Sequence, residues 1–202
     1  MGFTTEKNTT STPIPKPGSL TAIGIITICL SSISILNIVG GLLLMLVLGY
    51  PENILRIIQN LADQFQQNDL SKSLAALNSL VYSQFIFNPL YIIISIIGFI
   101  GAIKVLAEKP GGRLPLLYYA FGLILIIVIS YIFFLLVIPD LFSLVDFIPI
   151  FSHLFKDLYN IMVIFSLIIS FIISMAWPVI LIIILSRPKV KHYFASQTSC
   201  AG

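Results

Sequence analysis

Charge is what this chain has least of. Asp, Glu, Lys and Arg make up 9% of its 202 residues, against about 25% in ordinary soluble domains. The few charges also avoid the middle of four long apolar runs, roughly Ser19–Gly49, Pro89–Leu106, Leu114–Ile138 and Leu158–Ser186. Proton carriers, ion carriers and voltage sensors place ionisable groups in those central turns, so the absence argues against all three. Cysteine is scarce as well. Cys29 lies within the first run and Cys200 near the end of the chain, at depths that keep them apart, and no C-x-x-C pair exists. Histidine occurs twice, as His153 and His192, on opposite sides of the expected membrane. Asp140, Asp146, His153 and Asp157 share one loop, but their spacing matches no metal motif. There is no Gly-x-Ser-x-Gly elbow, and Pro110-Gly111-Gly112 is a turn, not a phosphate-cradling loop. No catalytic, cofactor-binding or metal residue is therefore assigned, and the expectation is a non-enzymatic protein without a cofactor.

What the chain does have is apolar surface. Hydrophobic residues make up 58% of it and the mean hydropathy is +1.05. A soluble domain must cover its exterior in polar groups; a protein solvated by lipid need not. A helix crosses a hydrocarbon layer of ~30 Å in about 17–25 residues, and each run is of that length or longer. The expected fold is all-α, four transmembrane helices in an up-down bundle. It divides into a disordered tail (1–18), a membrane domain (19–186) with outer loops at 50–88 and 139–157, and a basic tail (187–202). The first run stays uncharged from Pro17 to Pro51, too long for a signal-peptide core, and reads as a retained anchor.

The charges sort by side. With four alternating spans, Lys7, Lys16, Lys104, Lys109, Arg113, Arg187, Lys189 and Lys191 share one face, and only Arg56, Lys72 and Lys156 fall on the other. Of the acidic residues, Glu6 and Glu108 join the first group and the remainder the second. The faces carry net +6 and −3, which together make the chain's +3. This asymmetry places both termini in the cytoplasm of a cell membrane and sets basic residues against anionic lipid. They are spread over three short segments, which does not suit nucleic acid.

Several local patterns refine this picture. Gly24, Thr27, Ser31, Ser34, Ile38 and Gly41 form a small-residue seam in run one, with Asn37 beside it in need of a partner on a neighbouring helix. In residues 51–67, Ile54, Leu55, Ile57, Ile58, Leu61, Ala62 and Phe65 gather on one side of a helical wheel, so the first outer loop should hold an amphipathic helix. Asp69 reads as the cap of a second short helix carrying Leu70, Leu74, Leu77 and Val81 on one face, and Asn88-Pro89 as the start of run two. Gly98 and Ala102, with Gly101 beside them, suit close helix packing. Tyr118 and Tyr119 suit the inner interface. Run three should end at Pro139. The loop beyond it, with Phe142, Phe147, Phe151 and Phe155, is apolar enough to lie at the membrane surface as part of an outer roof. Run four carries Ser166, Ser170 and Ser174 at intervals of four, and Pro178 removes a backbone bond to Ser174. Trp177 lies deep for an interfacial belt residue. Past Pro188, Val190, Tyr193 and Phe194 are placed to fold back onto the inner surface, while Arg187 and Lys189 meet the negative end of helix four.

Three stretches carry a resemblance. Pro17-Gly18-Ser19-Leu20-Thr21-Ala22-Ile23-Gly24-Ile25, then Gly98-Phe99-Ile100-Gly101-Ala102 with Gly112-Arg113-Leu114, then Trp177-Pro178-Val179-Ile180-Leu181 with Ser186-Arg187-Pro188-Lys189-Val190-Lys191-His192-Tyr193-Phe194, resemble a family of small bacterial four-span membrane proteins with an Arg-Pro-x-Val-Lys-x-x-Phe tail. The resemblance implies the four-span topology and lends no activity. That family often has Trp before the Gly-Arg of the inner turn, where this chain has Gly111.

Three functional readings stay open. The first is a non-enzymatic scaffold, accessory or lipid-interacting membrane protein, whose partners are membrane lipids and a membrane-protein partner or a second copy. The second is a small oligomeric transporter or pore, motivated by Asn37, the serine stripe and Pro178. The third is a lipid-active enzyme that would have to use Asp140, Asp146 and His153.

Overall fold

The computed structural model describes residues 15–47, 56, 60, 68–109, 111–142 and 153–200. Among them there is no strand. The elements are α1 (Gly18–Val47), α2 (Asn68–Leu106), α3 (Arg113–Phe142), α4 (His153–Ser186) and α5 (Pro188–Cys200). Lipid offers the backbone no hydrogen-bond partner, so a spanning segment must satisfy its own amides as a helix. Four helices meet the length and hydropathy that crossing requires, over Gly18–Leu43, Ala75–Leu106, Arg113–Pro139 and Ile161–Ser186. The architecture fits a multi-pass membrane protein.

Successive helices run antiparallel, α1 beside α2, α2 beside α3, and α3 beside α4. All five elements meet at the basic end. Leu20, Ile23, Ala102, Val105, Leu116, Tyr119, Leu181, Leu185, Val190 and Tyr193 form one buried cluster there. The segment before α1 and the end of α4 thus lie on the same side of the bundle. The other half of the bundle is looser: in α1, Leu36, Val39 and Leu43 are exposed, and in α4 so are Ile161, Phe165 and Ile169.

Small residues set the close approaches. A Cβ on Gly24 would stand 2.8 Å from Leu106, one on Gly98 2.5 Å from the Tyr119 ring, and one on Gly101 3.0 Å from the Leu116 amide nitrogen. Such contacts matter because lipid supplies little hydrophobic drive between helices, leaving dispersion at short range to hold them. The α1 seam holds over its basic half only. Gly24, Thr27 and Ser31 are buried, Ser34 and Ile38 are half-buried, and Gly41 is exposed.

The α2–α3 turn is built from local chemistry. Glu108 adopts φ 55°; Lys109 N–H donates to the Lys104 carbonyl at 2.9 Å and Glu108 N–H to the Val105 carbonyl at 3.3 Å. This is a Schellman termination with glutamate where glycine is usual. The Lys16 ammonium donates to the Leu106 carbonyl at 3.2 Å and lies 3.7 Å from the Glu108 carboxylate, placing a cation at the negative end of α2. At the end of α4, Arg113 of α3 adds a cation of its own, its Nε–H donating to the Leu185 carbonyl at 3.2 Å, while Arg187 and Lys189 are exposed.

Other expectations need correction. Run two does not begin at Asn88-Pro89, and no separate short helix starts at Asp69; α2 is one helix of 39 residues with Pro89 inside it. One lost helix bond at an exposed proline costs about 3 kcal/mol. Unwinding there would free several backbone groups at the edge of the hydrocarbon. α3 runs through Pro139 to Phe142 and α4 starts at His153 rather than Leu158, so the second outer loop is shorter than 139–157. The segment from 187 is not a plain tail. After the break at Arg187, α5 forms and buries Val190, Tyr193 and Phe194, the three side chains expected to fold back. Tyr119 is 2% exposed and belongs to the core, whereas Tyr118 faces out. The tail before residue 15 and the loop residue Asp146 lie outside the described residues. So does the amphipathic helix of 51–67, apart from the helical residues Arg56 and Asn60.

Candidate functional site

Two groups of polar side chains interrupt the apolar bundle. The larger lines a cavity of about 390 Å³ between α2, α3 and α4. α2 supplies Leu80, Ser83, Gln84, Phe87, Asn88 and Tyr91; α3 supplies Ser130, Tyr131, Phe133 and Phe134; α4 supplies Leu167. Gln84, Asn88 and Tyr91 share a face because they are four and three residues apart on one helix. Phe87 and Phe133 meet edge to face with centroids 6.2 Å apart and form the apolar wall. The Tyr131 hydroxyl donates to Ser170 Oγ at 2.7 Å, tying α3 to α4. Ser83 Oγ donates to the Leu80 carbonyl at 2.7 Å and keeps its acceptor capacity. Ser130 Oγ is buried with no protein hydrogen-bond partner, although the Tyr91 hydroxyl stands beside it.

The depth of this cavity follows from helix rise. Asn88 lies about 27 Å from Leu106 along α2, Phe133 about 30 Å from Arg113 along α3, and Leu167 about 28 Å from Ser186 along α4, at 1.5 Å per residue. Three helices agree that the cavity sits one hydrocarbon thickness from the basic end. No Asp, Glu, Lys, Arg or His is among its lining residues. Its amides and hydroxyls can hydrogen-bond an uncharged group.

The second group is deeper and smaller. Thr27 and Ser31 of α1 are wholly buried. Trp177 of α4 packs against the core cluster, which accounts for its depth. Thr27 Oγ1, Ser31 Oγ and Trp177 Nε1 all lack a protein hydrogen-bond partner, a condition that costs about 1–3 kcal/mol for each buried group left so. The Tyr119 hydroxyl of α3 stands beside both Ser31 and Trp177.

The features singled out in the sequence fare unevenly. Asn37 is exposed. Ser166 and Ser170 are exposed and Ser174 is half-buried, so the stripe faces mainly outward apart from the Tyr131–Ser170 bond. Cys29 is a free, exposed thiol. Among the described residues no three His, Cys, Asp or Glu side chains gather as a metal site requires. The cavity's own residues gave two signals in the sequence that went unread: the Gln84, Asn88, Tyr91 spacing, and Ser130-Tyr131 as the one polar pair in the second half of run three. No family model matches the chain, and neither a curated protein nor a solved structure is detectably similar to it.

Proposed function

We propose that this protein is a non-enzymatic, lipid-interacting membrane protein that holds the uncharged hydrogen-bonding region of a lipid in the cavity between α2, α3 and α4. One observation carries this reading. Uncharged amides and hydroxyls line a lipid-accessible cavity at the far edge of the hydrocarbon, the depth at which the glycerol and ester groups of a bilayer lie. Acyl chains would continue along the apolar wall of Phe87, Phe133 and Phe134. The basic end faces the cytoplasm on this reading, as positive charge near short loops favours, and the cavity then belongs to the outer leaflet of a cell membrane. The resemblance to bacterial four-span proteins agrees with this topology and adds no activity.

The test is photocrosslinking in nanodiscs with a diacylglycerophospholipid bearing its reactive group near the ester. Crosslinks should concentrate on residues 84–91 and 130–134 and be lost in Ser130→Leu, which fills the cavity and removes a hydroxyl. Crosslinks spread evenly along the four helices, or unaltered in Ser130→Leu, would defeat the proposal. The alternative, a small oligomeric transporter or pore, has in its favour the outward serines of α4, which line a shallow groove with Met162, Phe165, Ile169 and Ile173. Solute flux into liposomes that is abolished by Ser170→Leu would select it.

A further inference from the structure

We infer that the cavity between α2, α3 and α4 selects a lipid with a free hydroxyl at the level of its esters, the diacylglycerol class, over a phospholipid. This rests on the reading that the cavity holds a lipid, and it names the kind. Two of the lining hydroxyls have already committed their protons. Ser83 Oγ donates to the Leu80 carbonyl at 2.7 Å, within its own helix. The Tyr131 hydroxyl donates to Ser170 Oγ at 2.7 Å, as a phenol does toward the weaker alkyl donor. A hydroxyl carries one proton and two lone pairs, so each of these oxygens meets any further partner as an acceptor only. Ser83 is 6% exposed, which leaves its spare lone pair little bulk solvent to turn to.

A ligand that answers this lining must bring a proton as well as lone pairs. At the depth of its esters a glycerophospholipid offers acceptors alone, the ester carbonyls and the phosphate oxygens. Those can take protons from the Gln84 and Asn88 amides, but they leave Ser83 and Tyr131 unanswered. The phosphate is also an anion, and no Lys, Arg or His stands among the lining residues to meet it. A diacylglycerol carries an O–H where the phosphate would be. It supplies ester carbonyls for the two amides, a proton for Ser83 or Tyr131, and no charge. An acyl chain has a place as well. An apolar groove of about 250 Å³, with Ile132, Leu135, Ile168 and Phe171 in its walls, adjoins the cavity and shares Tyr131 and Leu167 with it.

The test compares two photoreactive lipids in nanodiscs: a diacylglycerol, and the same molecule with its hydroxyl capped as a methyl ether. Each carries its reactive group on an acyl chain near the ester, so the pair differs by one proton donor. The hydroxyl lipid should label residues 84–91 and 130–134 about two- to tenfold more than the ether, the range that one hydrogen bond gives. Ser83→Ala should reduce this preference. So should Tyr131→Phe, which keeps the ring against Phe171 and serves where Ser83→Ala does not fold. Equal labelling by the two lipids would mean that water meets both acceptors, and it would overturn the lipid class while leaving a lipid in the cavity; a preference undiminished in every variant that folds would do the same. Labelling of these residues by neither lipid would remove the lipid reading itself, and this inference with it.

Discussion

Replacing Gly98 with alanine tests how closely α2 and α3 approach. The added Cβ would lie 2.5 Å from Tyr119 Cδ2, 2.7 Å from Cγ and 2.8 Å from Cε2, where carbon atoms at rest prefer about 3.5–4.0 Å. The ring is 2% exposed and packed among core side chains, so the helices must move apart. Overpacking of this kind costs about 1–3 kcal/mol. A glycine-to-alanine change in a helix also brings a gain, about 0.8–1.0 kcal/mol in soluble hosts, which would mask part of the loss. Gly40 supplies the control: it is helical, and nothing lies within 4 Å of a Cβ built there. The propensity gain is common to both sites, so Gly98→Ala should be less stable than Gly40→Ala by the overpacking term alone, about 1–3 kcal/mol. Unfolding by sodium dodecyl sulfate in mixed micelles, followed through Trp177 emission, reads the difference directly. Equal stability of the two variants would refute packing through Gly98, and with it the fixed position of Tyr119.

Further predictions concern the basic end. Arg113→Gln loses a charge-assisted bond to the Leu185 carbonyl and should cost about 1.5–3 kcal/mol in the same micelle assay, with Arg113→Lys recovering only part. Lys16→Met removes the cation from the end of α2 and should cost up to about 1 kcal/mol. Glu108→Gly should be neutral or stabilising by about 1 kcal/mol, because relief of a left-handed backbone outweighs an ion pair whose carboxylate is mostly exposed. Burial, and then the charge of Glu108, hold the Tyr193 hydroxyl above its ordinary value of 10.0, with the Gln197 amide bond pulling the other way. A raised acid is stable in its protonated form, so this contribution is complete below pH 10 and is lost as pH climbs past that point. A spin label at Lys191 should therefore gain mobility in alkaline solution and gain it less in Tyr193→Phe; equal responses would count against α5 being held through Tyr193.

The parts of this fold that were legible in the sequence are those that lipid makes legible. A bilayer demands a certain length of apolar helix, and runs one and four match α1 and α4 to within a few residues at their basic ends. Small residues were informative for the same reason: Gly98, Gly101 and Ala102 are all buried, because close approach replaces the hydrophobic drive that water would supply. The prolines misled. Pro89 and Pro139 read as helix boundaries by rules drawn from soluble chains, where water takes up a freed carbonyl. At a membrane edge, continuing the helix leaves fewer groups unsatisfied than breaking it, and both prolines sit inside helices.

Burial itself was not legible, and the reason lies in the solvent. In water an amphipathic stripe marks the core face. In lipid the outside is as apolar as the inside, so leucine and isoleucine occur on both: Leu181 and Leu185 are wholly buried while Leu135 and Leu136 lie open. Hydropathy then carries no directional information, and the remaining guide is the polar side chain that hydrocarbon cannot satisfy. Ser130-Tyr131 within an otherwise apolar half-helix, and Thr27, Ser31 and Trp177 at depth, are the residues of this kind that the structure gathers into two places. Asn37 and Ser166 are of the same kind and remain on the outside. Unpaired polarity in a membrane sequence therefore locates surfaces that need a partner, whether a lipid, a water or a second chain, and the geometry decides which of these has room to approach.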